Sequence, residues 1–331
     1  MNKRVGKIFS RPIDTLKKAN SLPSLVKPKA KRIEDLIGFC IFTNILDGKL
    51  GHVNKISNTV FLIEYNNEEK HILKTYCYDK EELEMIKAAK DEFNLTVHLS
   101  KLTSHVVRGV EIKELSANGK VYIECLYEYG GSSLYDLIMN NKEIEIKAII
   151  DWAKQSIEGL KAAENEGIFH SDIKPQNMVV YKNKLKVIDF GSSVNMYSKS
   201  HLLHTTVAKI RGVTPAYLPP EVFKEFMEGQ FGLVEKGFKF NHNKADVYCW
   251  GMSFYQVLTQ KSITELTEEC NKYKRGNQDK YGEFINSVKE IGKKDKVVKG
   301  FVGILEATLA YDPKDRPTFS LLAILLSNLQ A

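Results

Sequence analysis

The stretch His170-Ser171-Asp172-Ile173-Lys174-Pro175-Gln176-Asn177 constrains this chain more than any other. It runs into the apolar Met178-Val179-Val180, a turn at Lys182-Asn183, and then Leu185-Lys186-Val187-Ile188-Asp189-Phe190-Gly191. Two short strands flanking polar loops bring Asp172, Asn177 and Asp189 to one cleft edge. Phosphoryl transfer needs a carboxylate near the attacking hydroxyl, oxygen ligands for Mg²⁺ and a cation that screens the moving charge. Asp172, Asn177 with Asp189, and Lys174 are the residues of this stretch that match those needs in turn.

The rest of the chain divides by periodicity. Phe39–Leu46, His52–Ile56, Thr59–Glu64 and His71–Tyr76 are short, rich in β-branched and aromatic residues and separated by turn residues, as strands are. A helical segment from Lys80 to Leu102 interrupts them. Two further strands follow, Val106–Leu115 and Lys120–Tyr127, joined by Ser116-Ala117-Asn118-Gly119. After Gly130-Gly131 the pattern turns helical, with Ile146, Ile149, Ile150, Ala153, Ile157, Leu160 and Ala163 on one face. Val247–Leu258, Phe301–Ala310 and Phe319–Leu329 are expected to form buried or amphipathic helices. The polar span Ser262–Lys299 is expected to hold charged ones.

The charge is concentrated at one end. Residues 1–32 hold ten cations against one anion, Asp14, and the remaining residues hold 38 against 40. Residues 1–37, with Pro12, Pro23 and Pro28, read as a basic, disordered tail. An acidic partner for this tail is one expectation, and a plain solvated extension is the other. The tail lacks the apolar core of a secretory signal, and the longest apolar run of the chain, Leu321–Leu326, is far short of the about 20 residues that span a bilayer. Five scattered cysteines without a CxxC pair favour free thiols in a reducing compartment. The expected location is intracellular, cytoplasmic or nuclear, with an organelle transit peptide as the alternative.

The ordered motifs of residues 38–331 resemble a eukaryotic-type protein kinase domain of the serine/threonine type. His170–Asn177 resembles H-R-D-x-x-x-x-N, and Asp189-Phe190-Gly191 resembles D-F-G. The resemblance implies an α+β, two-lobed fold: an antiparallel N-lobe sheet with one main helix, about 38–128, and a larger helical C-lobe, about 129–331. It implies ATP and Mg²⁺ as cofactors and a protein substrate. Asp172 would accept or orient the substrate hydroxyl proton, Lys174 would neutralise the γ-phosphoryl group, and Asn177 and Asp189 would ligate the metal. Leu73-Lys74 resembles the end of V-A-I-K, so Lys74 would pair with the α/β-phosphates. Glu92, 18 residues on, is the expected carboxylate partner, with Glu81, Glu82 and Glu84 as alternatives.

Other nucleotide contacts follow from the same resemblance. Leu46-Asp47-Gly48-Lys49-Leu50-Gly51-His52-Val53 resembles G-x-G-x-x-G-x-V with leucine at the first glycine. Gly48 and Gly51 would bring backbone to the phosphates, Val53 would pack on the adenine, and Leu46 and Ile72 would add bulk around the base. Tyr127 would sit at the back of the pocket, backbone groups near Glu128 and Tyr129 would hold the base, and Val179 would line it. Val213-Thr214-Pro215-Ala216-Tyr217-Leu218-Pro219-Pro220-Glu221 resembles the end of an activation segment, Asp246–Gly251 the buried D-V-W-S-x-G helix, and Arg316 the arginine that pairs with Glu221.

Two departures carry expectations. Ser171 replaces the arginine that binds an activation-segment phosphate, so activity is expected not to depend on phosphorylation there. The span from Glu221 to Asp246 is long and glycine-bearing, and is expected to be a surface insert. Three function classes stay in play: an active serine/threonine kinase, a nucleotide-binding pseudokinase scaffold, and a kinase-like small-molecule phosphotransferase. Lys74, Asp172, Asn177 and Asp189 together favour the first.

Overall fold

The structure, a computed structural model, describes residues 50–140, 144–196, 214–230, 240–274, 278–293 and 295–329. All lie in the compact unit Ile41–Ala331. The basic tail, the expected strand Phe39–Leu46, Leu46, Gly48, the hydroxyls Ser198, Ser200, Thr205 and Thr206, and Val213 lie outside the described residues.

Among the described residues five antiparallel strands build the N-lobe: β1 (Leu50–Lys55), β2 (Val60–Tyr65), β3 (Lys70–Asp79), β4 (Gly109–Ala117) and β5 (Lys120–Glu128). Their order in the sheet is β1-β2-β3-β5-β4. The register places Lys74 opposite Val60 on one side and Cys125 on the other, at the centre of the sheet. Helix α1 (Leu83–Leu102) buries Ile86, Ala89, Phe93, Thr96 and Leu99. Spacings of three and four residues put these on one helical face. Ile86, Ala89 and Phe93 share a core with Val107, Val121, Ile123, Cys125 and Tyr127.

Helices dominate the C-lobe. They are α2 (Leu134–Asn140), α3 (Ile146–Asn165), α4 (Pro220–Gln230), α5 (His242–Thr259), α6 (Ile263–Lys274), α7 (Gln278–Ile291), α8 (Lys296–Thr308) and α9 (Phe319–Ser327). Helix α5 is buried continuously from Ala245 to Val257, as a helix that is apolar around most of its circumference must be. Polar atoms in this core are matched rather than stranded: Trp250 Nε1 donates to Ser156 Oγ at 2.9 Å, and Tyr281 Oη donates to Leu309 O at 2.7 Å.

Short strands frame the chemistry-bearing loops. β6 (Ser132–Ser133), β8 (Met178–Tyr181) and β9 (Lys184–Val187) form one ribbon, and β7 (Ile168–Phe169) pairs with β10 (Val194–Asn195). Gly131 has φ +95°, and a Cβ there would lie 1.9 Å from the Val180 carbonyl oxygen, so only glycine lets the link between lobes run over β8.

Of the insert expected between Glu221 and Asp246, residues 231–239 lie outside the described residues, and helices border them on both sides. Helix α4 continues from Pro220 through Gly229 to Gln230, and α5 begins at His242. Propensity explains α4: Glu221, Phe223, Lys224, Glu225 and Met227 are tolerant of helix, and one glycine costs only about 1 kcal/mol.

Candidate active site

A cleft of about 410 Å³ lies where the sheet meets the helical lobe. Ile72, Val60, Val107, Val179 and Ile188 give it apolar walls, while Lys74, Glu92 and Asp189 stand together among its lining. Its volume is in the range of small-molecule sites, and apolar walls with a few convergent charges are their usual make-up.

Lys74 leads the polar group. Its Nζ donates to Glu92 Oε1 at 2.7 Å and to Asp189 Oδ1 at 3.1 Å. Burial alone lowers the Lys74 pKa, but the Asp189 and Glu92 carboxylates outweigh it and hold the ammonium above its ordinary value. Burial pushes Asp189 up, and the Lys74 charge more than reverses that, leaving it below the ordinary range. Glu92 is pushed up by burial against the pull of Lys74. The alternative partners Glu81, Glu82 and Glu84 are exposed ahead of or in the first turn of α1, and the Glu82 carboxylate caps the Asp79 amide at 2.8 Å.

The loop below is held from inside the helical lobe. Asp246 in the first turns of α5 accepts the His170 amide at 2.6 Å and the Ser171 amide at 2.9 Å. Burial raises the Asp246 carboxyl to about 7, against those two donors. His170 is buried and its pKa lowered by desolvation, so it is neutral. Its Nε2 faces the Ile188 carbonyl at 3.0 Å, which can only accept, and so carries the proton; Nδ1 then accepts the Asp172 amide at 3.3 Å. Ser171 and Asp189 sit at φ +62° and +64°, left-handed conformations that non-glycine residues keep only where surrounding bonds impose them.

Those constraints gather the remaining groups. Asp172 Oδ2 accepts Lys174 Nζ at 2.7 Å and Asn177 Nδ2 at 3.1 Å. Asn177 Nδ2 also reaches the Asp172 carbonyl at 2.9 Å, which leaves the amide oxygen of Asn177 as its acceptor for a cation. The Ile188 amide donates to the Asn177 carbonyl at 3.0 Å and ties the Asp189 strand end to this loop. Phe190 is buried, its ring 4.8 Å from that of His170. Farther off, Arg316 spans Glu221 with two bonds of 2.7 and 2.8 Å.

Some expected nucleotide contacts are placed elsewhere. The turn between the first two strands is Ile56-Ser57-Asn58-Thr59, without glycine, and the Ile56 and Ser57 amides both donate to the Val60 carbonyl, at 2.9 and 3.0 Å. Gly51 falls within β1, at the irregularity in its pairing with β2, and Val53 pairs with Ile63. Val53 is therefore not the residue over the cleft; Val60 and Ile56 line it instead. The physical reason is register: β1 runs on to Lys55, past the glycine pair, because alternating Val53 and Lys55 pair with Ile63 and Phe61 of β2.

The link between lobes borders the same cleft. Tyr127 and Glu128 line the cleft, followed by Gly130 and Gly131, while the Tyr129 ring packs edge-on against Tyr181, 5.3 Å between centroids. The Glu128 amide donates to the Arg108 carbonyl at 3.0 Å, and its carboxylate takes the Arg108 amide at 2.7 Å and the Lys186 ammonium. Val179 lines the cleft as expected from the resemblance, directly beneath Gly130. Sequence reasoning passed over Val60, Val107, Ile188 and Asp136. Asp136 is the first-turn acid of α2, and Ser133 Oγ donates to it at 2.7 Å at the cleft margin.

Known proteins resemble this chain in sequence. Residues 45–324 match the protein kinase domain family. The chain belongs to the protein kinase family. The kinase is similar to the CBL-interacting serine/threonine-protein kinase 8 of Arabidopsis thaliana, 30% identical over 171 residues that make up 51% of this chain and 34% of that protein. It is 32% identical over 148 residues to the CBL-interacting protein kinase 26 of Oryza sativa subsp. japonica, covering 44% of this chain and 26% of that one. Similarity to the dual specificity protein kinase Ttk of Danio rerio is lower, 22% over 262 residues, but takes in 78% of this kinase and 24% of Ttk. This kinase thus spans about a quarter to a third of the length of these relatives. No helix among its described residues is long and apolar enough to cross a membrane.

Proposed function

We propose that the chain is an active serine/threonine protein kinase that transfers the γ-phosphoryl group of ATP, with Mg²⁺, to hydroxyls of protein substrates. The observation that carries this reading is the joint presence of Lys74 paired to Glu92 and Asp189, and of Asp172 bonded to Lys174 and Asn177. A binding-only scaffold needs no such catalytic loop. A carboxylate and an amide oxygen, Asp189 and Asn177, are hard donors of the kind Mg²⁺ takes together with nucleotide phosphates. No group of three or more His, Cys, Asp or Glu suited to a metal occurs among the described residues. When bound there, held by Asp189 and Asn177, the ion would supply positive charge against the negative charge that develops during transfer.

This chain's own residues supply the rest. The apolar walls take the base. Lys74 holds the α/β-phosphates at the inner end of the cleft, an arrangement that matters more here because the Ile56 and Ser57 amides are already engaged by Val60. Asp172 has Oδ2 occupied by Lys174 and Asn177, so Oδ1 is the oxygen that orients the substrate hydroxyl and receives its proton. Lys174 stands beside that oxygen pair, where it screens charge on the transferred group. The names of the relatives support serine and threonine as acceptors.

The test is an acceptor comparison: purified protein with Mg-ATP and, in parallel, a generic basic protein and a panel of small hydroxyl metabolites, followed by phosphoamino-acid analysis. Phosphoserine or phosphothreonine in the protein is the expected product. Transfer to a metabolite alone, or nucleotide binding without any transfer, overturns the proposal.

A further inference from the structure

Tyr76 stands two residues beyond Lys74 on β3, and the strand pleat puts both side chains on the face that meets α1. Each addresses a different oxygen of the same carboxylate. Lys74 Nζ donates to Glu92 Oε1 at 2.7 Å, and Tyr76 Oη donates to Glu92 Oε2 at 3.0 Å. The Lys74 ammonium lies 5.5 Å from the centroid of the Tyr76 ring, and that ring stacks on Tyr78 with centroids 6.0 Å apart. Gly191 leaves room for the same oxygen: a Cβ there would come within 2.8 Å of Glu92 Oε2. The helix adds a brace, since Thr96 Oγ1 donates to the Glu92 carbonyl at 2.9 Å.

The arrangement goes beyond packing. A phenylalanine would fill the same volume and stack on Tyr78 equally well. Only the hydroxyl orients the carboxylate, and burial raises its pKa so that it stays a proton donor. Lys74 has two carboxylates within reach, Glu92 and Asp189, and Glu92 is a long side chain that a single bond leaves free to turn. With its second oxygen held by Tyr76, Glu92 presents one fixed oxygen to Lys74. We propose that Tyr76 is a positioning residue for the Lys74–Glu92 pair, which lets β3 itself assemble the pair that holds nucleotide phosphates. The inference deepens the kinase reading above and rests on it for its catalytic consequence.

The experiment compares wild type, Tyr76→Phe, Glu92→Gln, the double variant, and Tyr78→Phe as a control that keeps the stack. Phosphotransfer kinetics with varied Mg-ATP are measured together with amide hydrogen exchange across α1. In Tyr76→Phe, kcat/KM for Mg-ATP is expected to fall about ten-fold, the scale of losing one hydrogen bond to a charged group. In the Glu92→Gln background the same change is expected to cost less than about two-fold, because residues acting through one another are not additive. Exchange in α1 is expected to rise in Tyr76→Phe and to stay at the wild-type level in Tyr78→Phe. Full activity in Tyr76→Phe, or an equal loss with and without Glu92, overturns the proposal. If the wild type transfers no phosphoryl group, the kinase reading fails separately, and the exchange data decide: unchanged α1 exchange in Tyr76→Phe overturns the positioning role.

Discussion

Removing Arg316 tests how the helical lobe is held. Its side chain is wholly buried and all its donors are placed: Nε on Ala310 O at 2.8 Å, Nη1 on Glu221 at 2.7 Å and Lys244 O at 3.1 Å, Nη2 on Glu221 at 2.8 Å and Tyr311 O at 3.1 Å. The guanidinium carbon also lies 4.9 Å from the centre of the Tyr248 ring. Arg316→Ala strands the Glu221 carboxylate and leaves three carbonyls without this donor. Breaking one partner of a buried pair costs about 3–5 kcal/mol. Glu221 is 24% exposed, so water takes back part of that loss and the lower end, about 3 kcal/mol, is expected. For a chain of this size that is a fall in Tm of roughly 4–5 °C. Arg316→Lys keeps the charge but loses the two-pronged bond and is expected to fall between wild type and alanine. Thermal and urea unfolding of the three proteins provide the measurement. A cost below about 1 kcal/mol for Arg316→Ala would refute the reasoning, since it would mean that the pair is energetically equivalent to a surface one.

Two further outcomes are expected. Because Ser171 stands where an arginine would read an activation-segment phosphate, phosphatase treatment should leave phosphotransfer at a comparable level; a large loss, measured on the same preparation before and after, would sink that reading. His242 packs against the Phe240 and Phe169 rings, and burial lowers its pKa from 6.5 to about 4. Between those values the unfolded chain binds the extra proton, so stability falls as pH drops from about 6.5 toward 4. With the partial exposure of the ring discounted, the loss should be about 1–2 kcal/mol. His242→Leu should flatten the slope of urea midpoint against pH in that window; an unchanged slope speaks against it.

The sequence made some of this legible and hid the rest for physical reasons. The partner of Lys74 could be chosen because Glu92 lies 18 residues on and precedes Leu95 and Leu99 on a periodic helix, and helical periodicity carries over directly into which residues of the helix are buried. The Asp246 and Arg316 contacts cross 76 and 95 residues of chain, and only the ordered motifs, not local pattern, pointed to them. The glycine pair misled. Alternation had already marked His52–Ile56 and Thr59–Glu64 as strands with a turn at Ser57-Asn58, and the structure follows that pattern rather than the glycine spacing. Glycine spacing is weak evidence because any tight backbone accepts glycine. The Tyr76 hydroxyl was not legible at all. Its bond depends on the distance between β3 and α1, which packing sets and no local pattern records.

The central claim, that Asp172 carries out proton handling in a phosphotransferase, has a direct measurement: the rate of phosphoryl transfer and the affinity for Mg-ATP in Asp172→Asn beside wild type. The substitution keeps the shape of the side chain and removes its charge and its capacity to take a proton. A loss of about 10²–10⁴ in kcat, with nucleotide affinity within about two-fold of wild type, is the predicted result. Transfer at the wild-type rate in Asp172→Asn would contradict the account.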